Sequence, residues 1–474
     1  MKMMKGLLLG SAASLACASF AHAADLPVRK AAPAEYVRIC DAYGQGFFYI
    51  PGTETCLRIS GMVRAEYAWS NTRKVNTSAF SQNPRTGVVT AGSVSDARGV
   101  DSIGIRARGR VNFDARTQTV WGTLRSYFRF ESWSDSGYLN SFYGGASENF
   151  KNRPTYAFVQ FAGLTAGRAQ SFFDFMGDAW SWGTSGRQSD NQVPMLAYTA
   201  TFGAGFTATL AIEDPSTVGG FYAASNLPGA YSLAPGYGLR STAVRTPDVV
   251  AALRVDQGWG SAQVSGVWGR HQTSIVTVNA AGATSGVPAG AAHKDFNIWA
   301  IQGGVQINLP MLAAGDQFWI EAAYAKGQIE RLGGAYYQSN NSNGFRSGFI
   351  GNWANAGVYS TGSGYGVDTG KGWNVLAAFQ HYWSPTLRSV FMGSYVDWTN
   401  GDAVKAMGFL KGNEWRASTQ LIWSPVKDTD IGVEVLYAKA HNSLSAPMAA
   451  AVKAAGLKKD PETIEARLRI QRGF

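Results

Sequence analysis

Cysteine, proline, histidine and charge are all scarce in this chain of 474 residues, which has 3 Cys, 16 Pro, 5 His and 16% charged residues. Ordinary soluble domains carry about 25% charged residues, so the shortage argues against a cytosolic α/β enzyme. Histidines scattered singly at 22, 271, 293, 381 and 441 form no zinc constellation, which needs about four ligands. Past the N-terminus there is no run of about 18 apolar residues, which excludes membrane-spanning helices. Few prolines and many bulky apolar residues exclude a disordered chain. G-x-S-x-G, H-E-x-x-H and Walker motifs are missing, and the Gly-rich Thr361 to Gly366 stretch lacks a following helix pattern. Glycine and aromatics are abundant instead: 56 Gly, 25 Phe, 20 Tyr and 15 Trp. This is the composition of a large protein rich in strands and turns.

The N-terminus sets the compartment. Lys2 and Lys5 precede an apolar run, Gly6 to Phe20, that ends in Ala21-His22-Ala23, the order of a secretory signal peptide. Residues 1–23 are expected to be removed, so that the mature chain starts at Ala24 and the net charge of +10 falls to +8 with the loss of Lys2 and Lys5. Cys40 and Cys56 remain, and an oxidising compartment favours a disulfide between them. Closing so short a loop is worth about 3 kcal/mol in the chain-entropy model.

Period carries the fold. From Leu57 the odd positions Leu57, Ile59, Val63, Tyr67 and Trp69 are mostly apolar, while Arg58, Ser60, Arg64 and Glu66 occupy even ones. Ile103, Ile105, Val111 and Phe113 likewise alternate with Arg106, Arg108 and Arg110. A helix is a poor fit to this pattern and a two-faced strand is a good one. Sixteen strands are predicted, at 56–69, 101–114, 119–132, 154–161, 164–170, 194–202, 206–213, 248–256, 261–270, 297–309, 317–326, 371–383, 386–398, 413–423, 429–439 and 462–474. Short connections such as 115–118 and 162–163 alternate with long ones such as 214–247, 327–370 and 440–461. An even number of strands with short turns on one side and long loops on the other marks an all-β, sixteen-stranded antiparallel transmembrane barrel. Trp69, Trp259, Trp383, Trp398 and Trp423, at strand ends, suit interfacial girdles. The terminal strand ends in Phe474 and is expected to close the barrel. Residues 24–55 then form an N-terminal, periplasmic-side segment holding the disulfide loop, and 56–474 the barrel.

Three stretches resemble the alphaproteobacterial general porins: Cys40-Asp41-Ala42-Tyr43-Gly44 with the aromatic run to Cys56-Leu57-Arg58-Ile59-Ser60-Gly61, Tyr156 to Gly163, and Gly167-Arg168-Ala169-Gln170-Ser171-Phe172-Phe173-Asp174-Phe175. The resemblance covers the whole mature chain. It implies a homotrimeric, water-filled channel in the outer membrane, passing small hydrophilic solutes and ions without a cofactor or metal, with its third long loop folded inward. That loop, 171–193, supplies Asp174 and Asp178 as the acidic side of a pore constriction. The basic side is expected from Arg64, Arg106, Arg108 and Arg125 near the middle of neighbouring strands, with Arg168 on the strand leading into the loop. Opposed charges across a narrow gap would orient dipolar solutes. Two other barrels fit the same alternation. One is a sugar-type, substrate-specific channel using Trp121, Tyr127 and Trp319, and the other is a plugged structural or adhesin barrel. A barrel enzyme would need an outward catalytic pair, and only His381 has that parity within a strand.

Overall fold

A chain whose alternate residues are apolar can bury its backbone polar groups in hydrocarbon only by closing a sheet on itself, and this chain does so. The computed structural model describes residues 38–71, 102–139, 149–176, 188–217, 245–278, 293–333, 364–406, 408–456, 458–460 and 462–474, with shorter stretches between them. Residues 1–23, expected as the signal peptide, and most of 214–247 and 334–363 lie outside the described residues.

Sixteen strands form the wall. They are β1 (Cys56–Ser70), β2 (Ile103–Thr119), β3 (Gly122–Asp135), β4 (Asn149–Phe161), β5 (Leu164–Gln170), β6 (Gln192–Gly203), β7 (Phe206–Glu213) and β8 (Asp248–Gln257). The second half comprises β9 (Gly260–Val278), β10 (His293–Asn308), β11 (Gln317–Lys326), β12 (Lys371–Ser384), β13 (Leu387–Thr399), β14 (Phe409–Trp423), β15 (Thr429–Leu444) and β16 (Glu462–Gly473). Each pairs antiparallel with the next, and β16 pairs with β1 from Met62↔Gly473 to Ser70↔Glu465, so the sheet has no edge. The amide and carbonyl of Phe474 extend this seam by bonding to Gly61.

The wall is inside out relative to a soluble protein. On β1, Ile59, Val63 and Tyr67 are exposed while Met62, Glu66 and Ala68 are buried. On β15 and β16 the exposed Val433, Val435, Leu468 and Ile470 alternate with the buried Glu434, Arg467 and Arg469. Apolar groups pointing outward and polar groups inward are what a lipid solvent requires. Trp69, Trp259, Trp383 and Trp423 are between 43% and 59% exposed, as girdle residues should be. Trp398 is not one of them. It is 1% exposed, on the inward parity of β13, with its ring over Gly412 so closely that a Cβ there would lie 2.2 Å from it.

All sixteen expected strands are present, with different ends. The first short turn falls at Val120 and Trp121, not at 115–118, because the ladder continues through Arg116↔Arg125 to Thr119↔Gly122. Thr119 fixes the reversal by donating from Oγ1 to the Gly122 carbonyl, 2.6 Å away, and accepting from the Trp121 amide. Gly122 takes the positive φ of 103° that the turn needs. Strand β4 starts at Asn149, well before 154, because a register shift between Arg129 and Phe130 carries Pro154 through the ladder. Bulges are where a sheet tolerates proline.

Under the short-turn end, a disulfide joins Cys40 to Cys56 with Cα atoms 6.0 Å apart. Phe47 packs on it, and the guanidiniums of Arg58 and Arg116 lie 5.5 and 5.0 Å from the Phe47 ring. At the opposite end, helix Ala446–Ala454 is capped by the Ser445 side chain, which accepts from the Met448 amide, and it buries Met448 and Val452.

Gly61 tests the seam. A Cβ there would lie 2.3 Å from the Arg110 carbonyl oxygen and 2.5 Å from the Phe474 ring. Gly61→Val is expected to lower the temperature at which the folded band on unheated SDS gels converts to the unfolded one, whereas Gly109→Val, with open space around its Cβ, should leave it within a few degrees of the parent.

Candidate functional site

Closure brings β16, β1, β2 and β3 side by side, and their inward parity concentrates charge. Arg64 stands opposite Arg108, and Glu66 opposite Arg106, across β1 and β2. Arg106 faces Asp135, Arg110 faces Glu131 and Asn112 faces Arg129 across β2 and β3. Arg469 faces Glu66 across the seam. Arginines outnumber carboxylates about two to one on this arc.

Every carboxylate on the arc is held by arginine. Asp135 accepts from Arg106 at 2.5 Å, and Arg108 and Arg110 both reach Glu131. Asp114 receives Arg116 at 2.8 Å and Arg125 at 3.0 Å. Glu66 is shared by Arg469 at 2.7 Å and Arg467 at 3.3 Å. Arg64 donates to Gln471 at 2.7 Å, and Arg129 to Asn112 at 2.8 Å. Charge-assisted bonds of this kind are strong and fix the guanidinium planes. The side chains of Arg108, Arg110, Arg116 and Arg125 remain 18% to 28% exposed, so the wall is an ordered array of half-open cations. Arg168 stands apart. Its register partners are Ala157 and Pro194, on the alternation that turns Leu164 and Leu196 outward, and its Nε has no hydrogen-bond partner among the described residues.

A segment running from Ser171 to Asn191 between β5 and β6 touches the polar face far from its own strands. The Phe173 carbonyl accepts from Ser265 Oγ at 2.6 Å and from Gln263 on β9. The Met176 amide donates to Glu321 on β11 at 3.2 Å. The Trp182 amide donates to Glu434 on β15 at 3.0 Å, and its carbonyl accepts from Arg467 and Arg469 on β16 at 2.5 and 2.9 Å. Phe175 packs on Trp319, ring centroids 4.9 Å apart. Asp178 lies outside the described residues.

The root of the segment is locked by a residue the sequence reading passed over. Arg331, on the 3-10 turn Ile329–Leu332, is fully buried. It donates to Ser171 Oγ at 2.9 Å and to Glu213 at 3.3 Å, 5.0 Å from the Phe173 ring centroid. Glu213 also accepts from Ser171 Oγ and the Phe172 amide. Asp174 belongs to this root. It is buried, and its Oδ2 accepts from Gln170 Nε2 and the Asn191 amide, each at 2.6 Å. Burial pushes its carboxyl up to about 6, against the opposing pull of Arg331.

The aromatics considered for a sugar path are dispersed. Tyr127 stacks on Phe158 at 5.2 Å beside Arg125, Trp319 lies beneath Phe175, and Trp121 is exposed on the first short turn.

The amino-acid sequence that builds this closed sixteen-stranded wall matches a known family. The model of the porin subfamily matches residues 25–464. The chain belongs to that subfamily. Porin Omp2b of Brucella canis is 32% identical over 346 residues, which cover 68% of this chain and 84% of that protein. Porin Omp2b of Brucella suis is 31% identical over 352 residues with the same coverage. Among solved structures, the outer membrane channel DcaP of Acinetobacter baumannii superposes with a TM-score of 0.55 at 15% identity, covering 90% of this chain and 99% of that one. This porin is thus an outer-membrane channel and not an enzyme.

Two outcomes are expected from the root. Arg331→Leu leaves Glu213 buried without its cation, which should cost about 3–5 kcal/mol and appear as a lowered unfolding temperature and noisier single-channel currents. Asp174 has a folded pKa above its unfolded value, so the folded state holds the proton more tightly and the group's contribution to stability falls as pH rises from about 4 to about 6. Asp174→Asn cannot titrate there. In circular dichroism melts, the parent should therefore gain unfolding temperature relative to Asp174→Asn as pH is lowered from 7 to 4.

Proposed function

We propose that this porin passes small hydrophilic solutes and ions by passive diffusion, through a constriction between the segment after β5 and the arginines of β1, β2 and β3. The main-chain bonds of Phe173, Met176 and Trp182 to β9, β11, β15 and β16 carry this reading. They draw the segment along one side of the polar face and leave the half-open arginines of β2 and β3 on the other. Sixteen strands enclose an aqueous channel wide enough for such a segment and a path beside it. Arg64, Arg108 and Arg125 are the basic side of this passage, and Arg106 is set behind them in its bonds to Asp135 and Glu66. On the acidic side the reading assigns Asp178, while the buried Asp174 holds the root. Arg168, on the outward alternation, is left out of the wall. Cleavage after Ala23 and assembly into a homotrimer complete the proposal, on the strength of the family.

The polarity of the passage follows from its charges. Fixed cations in a narrow aqueous path raise the local concentration of anions and orient dipolar solutes. In planar bilayers, Arg64→Gln with Arg108→Gln should move the zero-current potential toward cation preference, and Asp178→Asn toward anion preference. Channels that conduct with both potentials unchanged would put the constriction elsewhere. Conductance blocked by micromolar sugar would favour a substrate-specific channel.

A further inference from the structure

One strip of the lumen wall alternates guanidiniums with aromatic rings. On the inward parity of β3 and β4, the Arg125 guanidinium lies 5.0 Å from the Tyr127 ring and 5.5 Å from the Phe158 ring. Arg129, further along β3, lies 5.8 Å from Tyr127 and 4.6 Å from Tyr156. Tyr127 stacks on Phe158 and meets Tyr156 edge-on at 6.2 Å. Toward the long-loop end the pattern recurs, with Trp133 lying 5.6 Å from Arg108 and 5.2 Å from Arg153. Tyr127, Arg129, Tyr156 and Phe158 are all partly exposed. The strip adjoins the root of the inward segment: the Tyr156 hydroxyl donates to Gln170 at 2.9 Å, and Tyr156 and Phe158 pack against the same buried cluster as Phe172.

The rings replace, on β3 and β4, what carboxylates do for β2. Arg106, Arg108 and Arg110 are oriented by Asp135 and Glu131, which also offset their charge. Arg129 makes no ion pair among the described residues. Its Nε donates to Asn112 at 2.8 Å and its Nη2 to the Tyr127 hydroxyl at 3.0 Å, while Nη1 makes no hydrogen bond among the described residues. An aromatic face attracts a guanidinium without neutralising it. Arg129 is therefore held in place with its charge intact and part of its N–H edge open.

Resting on the diffusion reading above, we propose that this strip binds aromatic carboxylates as they cross the channel, with the carboxylate on Arg129 and the ring against Tyr156 and Phe158. A carboxylate pairs with a guanidinium in the guanidinium's own plane, so a planar acid bound to Arg129 continues the plane that Tyr156 already supports. A saturated ring of similar size and the same charge reaches the same guanidinium but lacks the flat face that stacks. The charge draws the anion in, and the rings distinguish its body.

The test uses the folded porin in planar bilayers, with the KCl current recorded while benzoate, cyclohexanecarboxylate or acetate is added. Benzoate is expected to halve the current at a concentration about fivefold lower than cyclohexanecarboxylate does, a ratio set by ring stacking, and acetate should block least. Tyr156→Leu with Phe158→Leu should remove the difference between the two cyclic acids. Tyr127→Leu alone should reduce it, which gives the same answer from a milder change if the double variant does not fold. Arg129→Gln should weaken block by both acids about tenfold. Trp121→Leu, on the exposed first turn, should leave both blocking concentrations unchanged. A parent that conducts KCl but is blocked equally by the two acids would overturn the site and leave the diffusion reading standing. So would a folded double variant that still prefers benzoate. A parent that does not conduct KCl would overturn the diffusion reading, and the site with it.

Discussion

Hydrocarbon offers no partner to a peptide N–H or C=O, and the rest of this structure depends on that fact. A strand that enters lipid must be paired on both edges, so the ladder that starts at Cys56 ends only when β16 meets β1. Closure then decides chemistry as well as shape. It makes the first and last strands neighbours, and so brings Glu66 within 2.7 Å of Arg469 across about four hundred residues of sequence. The polar half of every strand is turned into one shared interior, in which the charges must be arranged to suit each other.

That arrangement is a wall of cations held by fewer anions. In a dry core, so many guanidiniums would be prohibitive, because each unpaired buried charge costs several kcal/mol. Here, the carboxylates pin the arginine planes, while the side chains of Arg108, Arg110, Arg116 and Arg125 stay partly exposed. The same logic gives Asp174 a place in holding the fold. A carboxyl so buried gives up part of its charge, and its hydrogen bonds to Gln170 and Asn191 tie together the two ends of the segment.

Much of this was legible before any coordinates, because alternation is a local signal and the barrel repeats it sixteen times. The first turn was misjudged at 115–118 because nothing in Arg116 to Thr119 distinguishes a continuing ladder from a polar turn; the decisive feature is the hydroxyl of Thr119 acting on Gly122. Pro154 hid the start of β4, since a bulge has no reliable sequence mark. The arginines of the arc were visible from their parity. Glu66, Asp114, Glu131 and Asp135 share that parity and were equally visible, although which arginine each one holds depends on the register across strands. Arg331 was beyond reach. It lies in a long connection, and its role exists only because folding carries it to Ser171, 160 positions away in sequence.

Among the described residues, the segment on the polar face meets the far wall largely through main-chain groups. Carbonyls of Phe173 and Trp182 and amides of Phe172, Met176 and Trp182 make these bonds. A peptide group is the same whatever side chain it bears, so these bonds depend on their receivers on the wall, while the side chains of Ser171 and Asp174 fix the root. Away from that root, a side chain can change without disturbing these bonds, so what the segment turns toward the interior can vary at positions that the architecture does not read.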